Sequence, residues 1–131
     1  MTTRADRITL LPGTLDMLIL RALRWEPTHG WGVADWIRTV TGNAFELEEG
    51  TFYPALKRLE QRGLIESERG RSDTGRQAKF YTLTPAGRRA LQELLASWSR
   101  YTAAVDRAIR HGNPATLWGG AGTQGPATRG T

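Results

Sequence analysis

Glu49-Gly50-Thr51-Phe52-Tyr53-Pro54-Ala55-Leu56-Lys57-Arg58-Leu59-Glu60-Gln61-Arg62-Gly63-Leu64-Ile65 is the stretch on which the fold turns. Phe52, Leu56 and Leu59 recur at helical spacing, which predicts a helix over roughly 50–62 with those three on its inner face. Glu48 and Glu49 stand at its start, where carboxylates favour the positive end of the helix dipole. Pro54 is compatible because it lies near the first turn, where amide donors are largely unpaired. Gly63 caps the end, and the period then changes. Leu64–Arg69 and Lys79–Leu83 read as two short strands, joined by a polar, glycine-bounded tip, Gly70-Arg71-Ser72-Asp73-Thr74-Gly75-Arg76.

Working toward the N-terminus, Leu11-Pro12-Gly13 is a turn signal, with Thr14 or Asp16 as cap for the next element. Leu15, Leu18, Ile19, Ala22 and Leu23 predict an amphipathic helix of roughly 14–25, which Pro27 stops. Thr28-His29-Gly30 leads into a second helix of roughly 30–41, with Trp31, Ala34, Ile37 and Val40 on one face. Gly42-Asn43 ends it, since both residues tolerate the left-handed conformation of a C-terminal cap. Phe45 and Leu47 fall in a short extended or turn segment.

Working the other way, Thr84-Pro85 opens a last helix with a threonine N-cap and proline at the first helical position. Leu91, Leu94, Trp98, Tyr101, Val105 and Ala108 step alternately by three and four, a heptad-like apolar seam. From His111 onward the chain is rich in glycine and reads as a disordered tail. The expected class is mainly α with a small β-hairpin: a winged helix-turn-helix plus a long C-terminal dimerisation helix. The divisions are an N-terminal arm at 1–10, the winged helix-turn-helix at 11–83, the dimerisation helix at 84–109 and the tail at 110–131.

Charge narrows the function. The 131 residues carry 18 Lys+Arg and 13 Asp+Glu, a formal net charge of +5. Residues 51–89 hold nine of the basic side chains and four of the acidic ones, so this segment alone accounts for the net charge. A basic segment on an otherwise neutral chain is what a phosphate-facing surface requires. The chain has no cysteine, which excludes disulfides, thiolate zinc sites and a cysteine nucleophile. His29 and His111 are too far apart in sequence to form a local metal-ligand pair, so neither metal nor cofactor is expected. No paired carboxylates stand near a histidine, and no glycine-rich phosphate loop occurs, so an enzyme is not expected. No segment reaches the roughly 18 apolar residues of a membrane span. Met1–Leu11 lacks the apolar core of a signal peptide. A cytoplasmic protein is the resulting expectation.

The motifs also resemble those of the PadR family of winged-helix transcriptional regulators, in particular its short members with one C-terminal helix. The resemblance rests on Leu11-Pro12-Gly13-Thr14-Leu15, on His29-Gly30-Trp31-Gly32, and on Glu49 through Leu56 with Arg58-Leu59-Glu60 and Gly63-Leu64-Ile65. It extends through Arg76, Lys79-Phe80-Tyr81 and Leu83-Thr84-Pro85-Ala86-Gly87. It implies a homodimeric DNA-binding repressor whose C-terminal helix makes the dimer, released in some members by a small molecule. Phe52, where the family often has leucine, and the tryptophan content depart from the pattern and leave the effector open.

Candidate contacts follow from the residues. On the third helix Thr51, Tyr53, Pro54, Lys57 and Arg58 face outward, with Arg58 the best candidate for a bidentate guanine contact and Lys57 for a phosphate. On the wing Arg71, Arg76 and Lys79 suit phosphates or a narrow minor groove. His29, at the start of the second helix, is a secondary phosphate candidate, with a local turn hydrogen bond as its alternative. Leu91, Leu94, Trp98, Tyr101 and Val105 form the dimer interface. Trp31 and Trp98 are most simply core or seam residues, and a small aromatic effector could stack in an interfacial cavity. The expected partners are duplex DNA and a second copy. The competing readings are a winged-helix protein-interaction module without DNA binding and a small-molecule receptor.

Overall fold

The computed structural model describes residues 7–118. In chain order the elements are α1 (Thr14–Ala22), β1 (Thr28–His29), α2 (Gly30–Val40), α3 (Glu49–Gln61), β2 (Ile65–Arg71), β3 (Gln77–Leu83), α4 (Pro85–Arg110) and α5 (Pro114–Leu117). Three helices feed a three-stranded antiparallel sheet of order β1-β3-β2, the architecture of a winged helix-turn-helix. The chain divides into two compact units between Ala96 and Ser97.

The first unit is built around α1. Leu15, Met17, Ile19, Leu20 and Leu23 are buried there, a wider set than an amphipathic stripe predicts, because α2 and α3 both pack on this helix. Its N-cap is Gly13, at φ 85° and without a side-chain cap bond, so neither Thr14 nor Asp16 fills that role. The helix ends at Ala22, short of the expected residue 25. Glu26 precedes a proline, which disfavours helical backbone, and Thr28 is already paired with Tyr81 in the sheet.

The inner face of α2 is Gly30, Val33, Ala34 and Ile37. Trp31 and Val40, expected on that face, are both more than half exposed. Successive steps of three residues each rotate about 60° short of a full turn, so four such positions fan across half the helix and cannot all be buried. Trp31 instead stacks on His29 at 4.0 Å between ring centroids, and Phe80 meets the same imidazole edge-on at 5.4 Å. As expected, α2 closes with left-handed backbone at Gly42 and Asn43, and Asn43 N–H donates to the Arg38 carbonyl at 2.7 Å. Ile8 forms a parallel bridge with Phe45, pinning the segment ahead of α3.

On α3, Phe52, Ala55, Leu56 and Leu59 are buried. Pro54 is its sixth residue, beyond the first turn, so unpaired N-terminal donors do not explain it. The carbonyl it leaves without a helical donor is that of Gly50; both residues are exposed, and water can take that bond. Gly63 then turns the chain at φ 76°, and Leu64 N–H closes the helix on the Leu59 carbonyl at 3.0 Å. The hairpin is longer than the sequence suggests, running in register from Ile65↔Leu83 to Arg71↔Gln77. The two-residue β1, too short to carry an alternation pattern, is the strand that sequence periodicity missed.

The start of α4 is locked to the end of α3. Thr84 is the N-cap, accepting from Gly87 N–H at 3.0 Å while its own hydroxyl donates to the Gly63 carbonyl at 2.7 Å. Gly87 is buried, and a Cβ there would overlap the Leu64 carbonyl oxygen. Leu91 is 4% exposed and belongs to the core of this unit. The tail, expected to lack structure from residue 110, carries the single turn α5, where Ala115 N–H donates to the Asn113 side chain at 2.9 Å. The arm before Arg7 and the tail beyond Trp118 lie outside the described residues.

Gly87→Ala is expected to destabilise the fold by about 1–3 kcal/mol, the range for forcing atoms into a packed interior. Gly50→Ala, which meets nothing within 4 Å, should stabilise by up to about 1 kcal/mol through helix propensity. Urea unfolding of the two variants beside the wild type checks the contrast.

Candidate nucleic-acid interface

With Phe52, Ala55, Leu56 and Leu59 turned inward, α3 presents Thr51, Tyr53, Pro54, Lys57, Arg58 and Gln61 on its exposed side. Among the described residues, the side chains of Lys57 and Arg58 have no hydrogen-bond or ion-pair partner. The same holds for Arg76, at the wing. Arg58 is therefore not neutralised by a neighbouring carboxylate. Arg62, four residues on at the C-cap of α3, is paired with Asp16 of α1 at 3.8 Å.

Tyr53 is held more firmly than its exposure of 41% implies. Its ring lies over buried Gly30, where a Cβ would stand 3.0 Å from Cε1, and meets Phe52 edge-on at 5.0 Å. Partial burial, and then the Glu49 carboxylate, push its hydroxyl above the usual tyrosine range, against a smaller opposing effect of Arg38. The hydroxyl stays a neutral donor. Arg38 itself donates to the Leu47 carbonyl at 2.9 Å, tying α2 to the segment before α3.

The wing tip is ordered by its own bonds. Gly75 N–H donates to the Ser72 carbonyl at 2.8 Å and Ser72 N–H to the Arg76 carbonyl at 2.9 Å. Gly75 sits at φ 83°, the left-handed position that closes a turn followed by a bulge. Arg71 donates across this turn to the Gly75 carbonyl at 2.9 Å, so it braces the tip, whereas Arg76 extends from it unpaired. Lys79 lies away from the tip, opposite Arg69, with its ammonium 4.0 Å from Glu60 of α3.

Lys79 lines a groove of about 390 Å³ between α3 and β3, together with Tyr53, Lys57, Glu60, Gln61 and Tyr81. Tyr81 was not singled out from the sequence, although its alternation with Lys79 and Leu83 puts all three on the face toward α3. Its hydroxyl is also shifted upward, first by burial, then by Glu60 and by Tyr53.

His29 stands where the sequence places it, but its Nδ1 accepts from Gly32 N–H at 2.9 Å and serves as the N-cap of α2. That leaves Nε2 as the nitrogen free to meet a ligand. Of the seam residues, Leu91 is internal to the first unit, and Leu94 packs partly against the same core. Trp98, Tyr101 and Val105 are exposed at 40%, 59% and 41%. Trp98 and Tyr101 stack on one another at 6.1 Å with 25° between planes.

Because folding raises the hydroxyl pKa of Tyr53 and Tyr81, their neutral forms favour the folded state. That contribution is fully present below the unfolded tyrosine value near 10 and is lost as pH rises through the folded values. Denaturant unfolding followed from pH 8 to 11 should show stability falling at the alkaline end. Tyr81→Phe should weaken that fall.

The geometry agrees with three comparisons to known proteins. An uncharacterized protein of Lysinibacillus sphaericus is 31% identical over 100 residues, covering 76% of this chain and 92% of that one. A transcriptional regulator of Mycobacterium tuberculosis is 47% identical over 51 residues, 39% of this chain and 47% of that one. The crystal structure of a PadR family transcription regulator from Clostridium difficile R20291 superposes with a TM-score of 0.66 at 30% identity, covering 74% of this chain and 99% of that chain. The sequence profile of the Transcriptional regulator PadR-like family matches residues 19–93, more than half of the chain, and the protein therefore belongs to the PadR-like family of transcriptional regulators.

Proposed function

We propose that the protein is a cytoplasmic, homodimeric repressor that seats α3 in the major groove of duplex DNA while the wing follows the neighbouring backbone. The observation that carries this reading is the unpaired cationic face of α3. Lys57 and Arg58 are exposed without partners, although holding two such charges on one face without counter-ions serves no packing purpose. Phosphates neutralise such charges with release of counter-ions, and Arg58 has the planar fork that suits guanine O6 and N7. Thr51 and Tyr53 supply hydroxyl donors beside them. Arg71, Arg76 and Lys79 extend the positive surface along the wing, and His29 Nε2 adds a donor at the start of α2.

Dimerisation rests on α4. Leu94, Trp98, Tyr101 and Val105 share one seam at heptad spacing, and the last three are exposed in the single chain. Leu91, expected in the same interface, is instead buried in the core of its own unit and has no surface to offer a partner. A two-fold dimer presents two copies of α3 to one face of the duplex, so the operator should be an inverted repeat. The Trp98–Tyr101 stack supports release by a flat aromatic effector, since such rings offer large apolar faces to a planar ligand.

Specific and scrambled duplexes titrated at two salt concentrations test the interface. Wild-type affinity should fall with salt at a log–log slope of about −0.9 per neutralised phosphate. Arg58→Ala should relax base preference at one position of each half-site, costing about 1–3 kcal/mol on the specific duplex alone. Arg76→Ala should weaken both duplexes evenly. A salt-insensitive protein would instead be a protein-interaction module.

Trp98→Glu places a carboxylate in the seam and should yield monomers in sedimentation at micromolar concentration, since burying the charge costs several kcal/mol. A variant that remains dimeric would remove α4 from the interface.

A further inference from the structure

Glu60 is an acidic residue on the side of α3 that otherwise offers Lys57, Arg58 and Gln61. A carboxylate beside a phosphate-binding surface lowers affinity by Coulomb repulsion, so its presence calls for a compensating role. Its two oxygens are both engaged, and both reach the hairpin. Ser67 of β2 donates its hydroxyl to Glu60 Oε2 at 2.6 Å, a charge-assisted length. Lys79 of β3 brings its ammonium to 4.0 Å from Oε1. Ser67 lies opposite Tyr81 in the register, and Arg69 opposite Lys79. The carboxylate therefore grips both strands of the wing on the face that turns toward α3. Tyr81 and Tyr53 stand on either side of the same groove, and the Tyr81 hydroxyl is shifted upward partly by Glu60.

The hairpin and α3 are also joined by the chain turn at Gly63-Leu64 and by apolar packing, in which Leu64, Ile65, Tyr81 and Leu83 share one core with Phe52, Leu56 and Leu59. That packing is non-directional and concentrated at the root of the sheet. Among the described residues, Glu60 makes the side-chain polar ties between α3 and the hairpin, and they lie part-way toward its tip. We propose that Glu60 is a positioning residue: by binding Ser67 and Lys79 it fixes the spacing and angle between α3 and the wing, so that both elements engage one register of DNA. The inference rests on the DNA-binding reading above, and it assigns Glu60 no contact with DNA.

The experiment compares Glu60→Ala, Glu60→Gln and Ser67→Ala with wild type in two measurements. One is affinity for the selected operator and for a scrambled duplex; the other is hydrogen exchange of the 65–83 hairpin without DNA. Ser67→Ala changes no charge, so it separates positioning from electrostatics. Positioning requires that Glu60→Ala and Ser67→Ala both lower the ratio of operator to scrambled affinity, by about tenfold for the alanine at 60, a size expected when neighbouring residues are coupled. Hairpin amides should exchange faster in both. Glu60→Gln, which keeps an acceptor for Ser67, should lose less than Glu60→Ala. If Glu60→Ala tightened both duplexes equally while Ser67→Ala changed nothing, Glu60 would be a repelling charge and the proposal would be overturned. Unchanged hairpin exchange in Glu60→Ala overturns it as well. Wild-type protein that bound no duplex would overturn the DNA reading itself, while the exchange rates would still report on the tie.

Discussion

Burial of Phe52, Ala55, Leu56 and Leu59 against α1 determines the rotation of α3, and the rest of the interface depends on that rotation. A helix has one angular freedom about its axis, and four apolar side chains on one side remove it. Once they are inside, Thr51, Lys57, Arg58 and Gln61 are turned to the exposed side, with Tyr53 beside them resting its ring over Gly30. The neighbouring elements then hold the helix along its length. Arg38 fixes the segment before it, Gly63 turns the chain after it, and Thr84 and Gly87 seat α4 on the Leu64 carbonyl. The cationic side of α3 is thus a consequence of apolar packing on the opposite side, since among the described residues neither Lys57 nor Arg58 has a partner that would hold it there.

The helices were legible in the sequence because their signals are local and redundant. Gly42-Asn43, Gly63 and Thr84-Pro85 are punctuation that the backbone obeys directly. Two of the failures, in α1 and at β1, have their cause in tertiary contact, and the third lies in helix geometry. Met17 and Leu20 are buried because α1 is enclosed on more than one side, which no single amphipathic stripe encodes. Trp31 is exposed because a run of positions three apart precesses around the helix. β1 exists only through its pairing with Tyr81 and Phe80, and two residues have no period to detect.

The candidate site divides in the same way. Which side of α3 carries Lys57 and Arg58 follows from the helical repeat, and the structure places them there unpaired. The uses of Arg71 and Lys79 were not readable, whereas a local hydrogen bond was one of the two readings of His29. Each is a polar side chain whose partner comes from elsewhere: a turn carbonyl, a carboxylate on another element, an amide three residues on. Sequence patterns report which groups are charged. They do not report which charges are already satisfied, and availability for a ligand depends on that.

The contact beneath Gly87 also has a genetic consequence. The atom that a Cβ would strike is a backbone oxygen, Leu64 O, and a carbonyl cannot be trimmed by substitution as a bulky side chain can. Suppressors of a lesion at 87 should therefore not be cavity-making changes in the surrounding apolar residues. They should fall in the short connection from β3 into α4, where altered chain length or torsion can lift the helix from the oxygen below. Drift at this position would leave few compensating routes, and the glycine would persist among descendants of this sequence long after its apolar neighbours had exchanged.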